Sequence, residues 1–161
     1  MQLTRYTDYA VRVLLHVGAR DEGGLSSIQE IADVYDVSKD HLKKVTQDLG
    51  QAGFLETVRG RNGGLRLGRP AHLITIGQIV RHTETGFDLV DCSSCIIAPA
   101  CTLPRILNEA TRAFLAVLDK YTLGDVLTRR ADLRGIFDRV APLKEVIKAI
   151  AADDPCPRDT K

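Results

Sequence analysis

Ser38-Lys-Asp-His-Leu-Lys-Lys-Val-Thr-Gln-Asp-Leu-Gly-Gln-Ala-Gly53 runs directly into Phe54-Leu-Glu-Thr-Val58, then Arg59-Gly-Arg-Asn-Gly-Gly64, then Leu65-Arg-Leu67. Ser38 is placed to cap a helix whose Leu42, Val45, Leu49 and Ala52 form one apolar stripe, and Gly53 stops it. Lys39, His41, Lys43, Lys44 and Gln47 fall off that stripe and crowd into the first turns. The two alternating runs that follow are separated by Asn62-Gly63, a strong short-range hairpin signal. Arg59 and Arg61 flank the tip, and Gly63 and Gly64 allow the backbone a close approach that a Cβ would block.

Upstream, Thr4 to about Ala19 reads as a helix, with Leu3, Tyr6, Ala10, Val13, Leu14 and Val17 on one face. Asp21-Glu-Gly-Gly24 breaks it. Ser26 or Ser27 then caps a short helix bearing Ile28, Ile31, Ala32 and Tyr35, with Glu30 placed for a capping box. A tight turn at Val37-Ser38 joins the two short helices into a helix-turn-helix, and the hairpin after it is a wing. Residues 1–70 are therefore expected to form a winged helix-turn-helix. Ser38, Lys39, His41, Lys43 and Lys44 are its candidate major-groove contacts, because the first turns of a recognition helix meet the base edges. Arg59, Arg61, Asn62, Gly63 and Gly64 are the candidate wing contacts, suited to the negative potential of a minor groove. Residues 38–69 hold seven basic side chains against three acidic ones, although the 161-residue chain has a formal net charge of only +1.

That near-neutral balance, with 44% apolar and 27% charged residues, excludes a polybasic tail and a disordered acidic chain. No apolar run approaches the ~20 residues of a membrane span, and the first residues lack a signal core, so a cytoplasmic protein is expected. Pro70 closes the wing, and Thr75 caps a short helix through Ile76, Ile79 and Val80. Leu103 to Tyr121 reads as a long helix with an apolar repeat near 3.5 residues, the pattern of a helix that pairs with its twin. A homodimer sets two recognition helices about 34 Å apart, as a palindromic site on double-stranded DNA requires. Thr122 caps a further turn through Leu127, and residues 132–150 look helical, with Pro142 forcing a start or a kink. The expected organisation is a DNA-binding domain over 1–70, a cysteine loop and dimerisation helix over 71–128, and a helical extension with a disordered tail over 129–161. The fold class is mainly α with a small β-hairpin wing.

Cys92-x2-Cys95-x5-Cys101 lies immediately before the long helix. Soft thiolates so closely spaced suit zinc or an iron–sulfur cluster. Structural zinc asks for a fourth strong ligand in a paired spacing, and neither a second C-x2-C nor an H-x3-5-H is present. Three thiolates with a weak fourth ligand better describe a reactive iron–sulfur centre. Cys156, in a Pro-Cys-Pro tail, reads as a free thiol. His16, His72 and His82 are scattered, and His41 falls in the recognition helix. No nucleophile–base constellation and no phosphate loop is present, which argues against an enzyme.

Three stretches resemble one known group: Met1-Gln-Leu-Thr-Arg-Tyr-Thr-Asp-Tyr-Ala10, the wing Val58 to Gly68, and Cys92 to Leu103. They are similar to the NsrR group of bacterial nitric-oxide-sensing repressors, in the winged-helix family that also includes the iron–sulfur regulator IscR. The resemblance covers residues 1 to about 128. It implies a homodimeric repressor of nitrosative-stress genes with nitric oxide as signal, and one cluster per subunit on Cys92, Cys95 and Cys101. It also implies that Asp8 of the partner subunit is the fourth ligand, which places a 4Fe–4S cluster ahead of 2Fe–2S. By its position alone, Asp8 is an acid in the first turn of a helix, where the macrodipole stabilises it with no further role. IscR-type relatives use a histidine three residues after the last cysteine, where this chain has Pro104, and carry an acid early in the recognition helix, where it has Lys43. The first cysteine gap, two residues, is shorter than in most relatives. Nitric oxide, small and uncharged, is expected to reach a cluster shielded by Ile96 and Ile97. The alternative is a regulator of the same fold that senses iron or cluster supply.

Overall fold

Thr4 opens the first helix: its hydroxyl accepts the Thr7 amide at 3.3 Å, and α1 runs Arg5–Gly18. The structure is a computed structural model describing residues 2–20 and 24–140; the readings for residues 21–23, Pro142 and Cys156 lie outside the described residues. The hydroxyl that caps α2 (Ile28–Tyr35) belongs to Ser27, which accepts the Glu30 amide at 3.0 Å. Ser26 is instead buried, and its backbone exchanges two hydrogen bonds with Leu65, at 3.1 and 2.8 Å. Glu30 turns toward Arg20 and His16 rather than back to the cap. Asp36 then takes the left-handed conformation, with φ 56° and ψ 44°, which ends α2 and swings the chain into α3 (Lys39–Gln51).

Gly53, at φ +74°, turns the chain out of α3 into β1 (Leu55–Val58), which pairs antiparallel with β2 (Gly64–Leu67). The register sets Leu55 opposite Leu67 and Glu56 opposite Arg66. With a two-residue side-chain period, Leu55 and Leu65 point into the core while Glu56 and Arg66 pair on the outer face.

Thr75 and Gln78 form a capping box at the start of α4 (Ile76–Thr83). After the cysteine loop comes α5 (Leu103–Leu118), then the short α6 (Leu123–Val126), and residues 130–140 are again helical. The expected end of α5 at Tyr121 is corrected to Leu118, because the Tyr121 carbonyl accepts the Ile76 amide at 2.9 Å. A bridge between Thr75 and Thr122 holds that segment extended.

One core joins α1 (Ala10, Val13, Leu14), α2 (Ile31), α3 (Leu42, Val45, Leu49), the hairpin, α4 (Ile79), α6 (Leu123), Leu127 and Phe137. Each large side chain fully buried there contributes about 1.5–3 kcal/mol of transfer free energy. Gly18 lets α1 pass close to the chain after α6: a Cβ there would lie 2.6 Å from a Leu127 methyl. α5 stands apart, with Thr111 its one buried residue. Its Ile106 and Val117 are 55% and 48% exposed. Among the described residues, no helix is long and apolar enough to cross a membrane.

Candidate functional site

The stripe Leu42, Val45 and Leu49 seats α3 on the core, which turns Lys39, His41, Lys43 and Lys44 outward. Ser38 is exposed, with its hydroxyl engaged in capping the His41 amide at 3.3 Å. Asp40 sits among these cations and takes Lys43 at 2.9 Å; that hydrogen bond and charge hold its carboxyl below the usual range. The first turns of α3 thus present Lys39, His41 and Lys44, with the Asp40-paired Lys43, on an exposed surface. At the wing, Arg59, Arg61 and Asn62 are exposed and Gly63 and Gly64 half-buried. Gly63 is a steric necessity, since a Cβ there would lie 2.2 Å from the Val58 carbonyl oxygen. Outward-facing α3 and an arginine-flanked tip are set on the same buried core, which is the arrangement a winged-helix nucleic-acid interface needs.

The cysteine loop folds as three consecutive turns. The Cys95 amide donates to the Cys92 carbonyl at 3.3 Å, the Ala98 amide to Cys95 at 3.1 Å, and the Cys101 amide to Ala98 at 3.3 Å. Cys95 is exposed and Cys92 and Cys101 half-buried, all three as free thiols. The turns bring them onto one short segment, although no three His, Cys, Asp or Glu side chains are drawn into a chelate among the described residues. The donor set is soft, accessible and free of disulfides, which fits an iron–sulfur cluster. Ile96 and Ile97, expected to shield it, are 94% and 62% exposed. Asp8 lies on α1, exposed, with its carboxylate 2.9 Å from Arg12 on the next turn.

The structure adds residues that no sequence pattern marks. Glu84 ends α4 and begins the path to the cysteines. Its carboxylate accepts the Thr4 amide at 2.8 Å, the Thr4 hydroxyl at 3.1 Å and the Thr7 hydroxyl. Burial alone would raise the Glu84 pKa, but these donors outweigh it and hold the pKa below its ordinary value. Two residues beyond Thr4, the Tyr6 hydroxyl donates to Asp48 at 2.8 Å, and His82 meets the same oxygen at 3.0 Å. Desolvation, with the Asp48 contact second, pushes Tyr6 up to about 12. The first turn of α1, which carries Asp8, is therefore fastened both to the root of the cysteine loop and to the last turns of α3. These partners lie 42 to 80 residues apart in the chain, beyond the reach of any local period.

The family profile described as "Rrf2: Iron-dependent Transcriptional regulator" matches residues 3–129. The chain is 48% identical over 142 residues to the HTH-type transcriptional regulator NsrR of Bacillus licheniformis, covering 85% of this chain and 99% of that one. It is 50% identical over 138 residues to the NsrR of Bacillus subtilis, covering 83% and 94%. Among solved structures it is similar to T. potens IscR, with a TM-score of 0.67, 25% identity, and 80% and 88% of the two chains covered. It is likewise similar to CymR, titled the global cysteine regulator of B. subtilis, with a TM-score of 0.62, 25% identity, and 80% and 98% covered. An exposed recognition helix, an arginine-bearing wing and a match across some four-fifths of the chain lead to one conclusion: this protein belongs to the Rrf2 family of winged-helix transcriptional regulators and is not an enzyme.

Proposed function

We propose that the protein is a homodimeric, cytoplasmic repressor that senses nitric oxide through an iron–sulfur cluster and controls nitrosative-stress genes. The observation that carries this reading is the accessible triplet Cys92, Cys95 and Cys101 on three linked turns, rooted through Glu84 on the helix that bears Asp8. The likeness to the relatives named NsrR supports nitric oxide as the signal. Double-stranded operator DNA is read by Ser38, Lys39, His41, Lys43 and Lys44 and by the wing residues Arg59, Arg61, Asn62, Gly63 and Gly64. The apolar face of α5, including Ile106 and Val117, is exposed among the described residues and makes the dimer contact.

When bound, the cluster supplies iron that reacts with nitric oxide. Cys92, Cys95 and Cys101 hold it from one subunit, and Asp8 of the partner subunit closes the site, which favours 4Fe–4S over 2Fe–2S. A carboxylate is a hard, weak partner beside three thiolates, so of the four residues Asp8 would hold the cluster least firmly. Asp8 has a competing partner in Arg12, 2.9 Å away on its own helix. Freed from a cluster, Asp8 would have Arg12 as its partner, and one subunit's α1 would no longer be tied to the other's cysteine loop. Because the same turn of α1 holds α3 through Tyr6 and Asp48, the spacing of the two recognition helices relaxes with it.

The test is purification without oxygen, followed by visible absorption and assay of iron and acid-labile sulfide. A coloured protein that turns colourless, yet stays folded, in Cys95→Ser supports the reading. A colourless protein without iron contradicts it. The "iron-dependent" description of the family supports the second reading, iron or cluster-supply sensing. That reading predicts an operator complex that responds to iron starvation and ignores nitric oxide.

A further inference from the structure

A cavity of about 710 Å³ opens on the far side of the wing, between β2, the link from Gly68 to His72, the C-terminal end of α1 and residue 130. Four arginines line it, Arg20, Arg66, Arg69 and Arg130, with His72 beside them and Glu56 as the facing carboxylate. Two of these cations are already matched. Arg66 makes a two-pronged pair with Glu56, at 3.0 and 2.9 Å, and Arg20 is paired with Glu30. Arg69 and Arg130 have no carboxylate partner among the described residues. The guanidinium of Arg69 lies over the Phe54 ring, 4.7 Å from its centroid, which fixes its plane. Its Nε is buried and has no hydrogen-bond partner. A desolvated donor on a fixed guanidinium asks for an acceptor that the described residues do not provide. The carbonyl end of α1 also lines the cavity and opposes an anion, but by about half a charge against two whole unmatched cations.

We propose that this cavity is an oxyanion site for phosphate groups, with Arg69 and Arg130 as its unmatched cations. The planar fork of arginine suits the paired oxygens of phosphate, and two such forks suit a dianion. The site is separate from the cysteine loop and from the groove-reading face of α3, and it stands or falls independently of nitric-oxide sensing. Because β2 leads directly from the wing tip, an occupant touching Arg66 bears on the strand that carries the wing. The phosphate has two possible sources, the DNA backbone or a free phosphorylated small molecule.

The experiment uses the full-length protein and inorganic phosphate as the probe, titrated by calorimetry against chloride at matched ionic strength. Arg130→Gln changes an exposed side chain and leaves the fold intact, as a thermal melt will verify. Arg69→Lys keeps the charge and removes the fork. The expected result is saturable phosphate binding, weakened roughly tenfold or more in each variant. A random-sequence duplex then separates the sources. If the DNA backbone fills the site, duplex weakens phosphate binding, and Arg130→Gln lowers duplex affinity and its salt slope. If a free anion fills it, phosphate binds the duplex-bound protein as well, and the variant binds duplex unchanged. Phosphate binding that is equal in wild type and both variants overturns the proposal. So does absence of phosphate binding together with unchanged duplex affinity.

Discussion

His16 is wholly buried in α1, stacked on Phe137 at 4.5 Å between ring centroids, with its Nε2 3.3 Å from a Glu30 oxygen. Facing a carboxylate, Nε2 carries the proton, and the buried Nδ1 is left without a partner among the described residues. Burial first, and the Arg20 cation second, push its pKa down to about 4, against an opposing pull from Asp138. The folded protein thus holds this ring neutral. Above the ordinary value of 6.5 both folded and unfolded states are neutral, and the contribution to stability is complete. As the pH falls from 6.5 toward 4 the unfolded chain takes up the proton first, and stability declines by up to about 3 kcal/mol. Urea unfolding at about pH 7 and about pH 5 should show that decline in the wild type and a clearly shallower one in His16→Leu. Equal slopes in the two proteins would contradict it. In the sequence His16 is visible only as a lone histidine on a helix; the Phe137 that covers it lies in the segment after the family match, and no local pattern links the two.

At the scale of elements, what the chain declares locally is what a sequence can show. Ser38, Thr75 and Thr122 each cap the helix they precede, because a hydroxyl at that position answers a backbone amide three residues on. Asn62-Gly63 sits in the turn between β1 and β2, but the positive φ of that turn belongs to Gly60, at +120°, while Gly63 is needed for its close approach to the Val58 carbonyl. The misses are all non-local. Glu30 turns to Arg20 and His16 instead of closing a capping box with Ser27, and α5 stops at Leu118 because Tyr121 is claimed by Ile76. The proposed binding residues divide in the same way: the cations of α3 and the wing are legible from amphipathic pattern, whereas Asp8 enters only by resemblance. The joint among α1, α3 and α4 at Asp48 is the clearest long-range case. Asp48→Ala strands the part-buried Tyr6 hydroxyl and removes the His82 pair. Since Asp48 and His82 are each about a third exposed, the expected cost is modest, about 1 kcal/mol. A double-mutant cycle with Tyr6→Phe should return a coupling of about 0.5–1 kcal/mol in chemical unfolding, and strict additivity would dissolve the joint.

A well-packed winged-helix core carries a helix whose apolar side is exposed among the described residues. Ile106 and Val117 lie on α5, which is fixed to the core end by the twin hydrogen bonds of Arg81 to Asp119, at 2.5 and 2.6 Å. An apolar face so held is presented for a second copy, and burying it at a dimer contact removes it from water. Ile106→Glu places a charge in that contact while touching no core residue. Sedimentation equilibrium should show a folded monomer where the wild type is a dimer, and a dimer that persists unchanged would move the contact elsewhere. Dimerisation and the cysteine loop meet in DNA binding, since only paired recognition helices are sensitive to a change in spacing. The decisive measurement is the oxygen-free affinity of the cluster-loaded protein for its operator, before and after addition of nitric oxide. The account predicts a weakening of about 5–150-fold, the range of an allosteric coupling of about 1–3 kcal/mol, with operator DNA in turn slowing the reaction of the cluster. Identical affinity before and after the gas, on a protein shown to carry iron and sulfide, would contradict it.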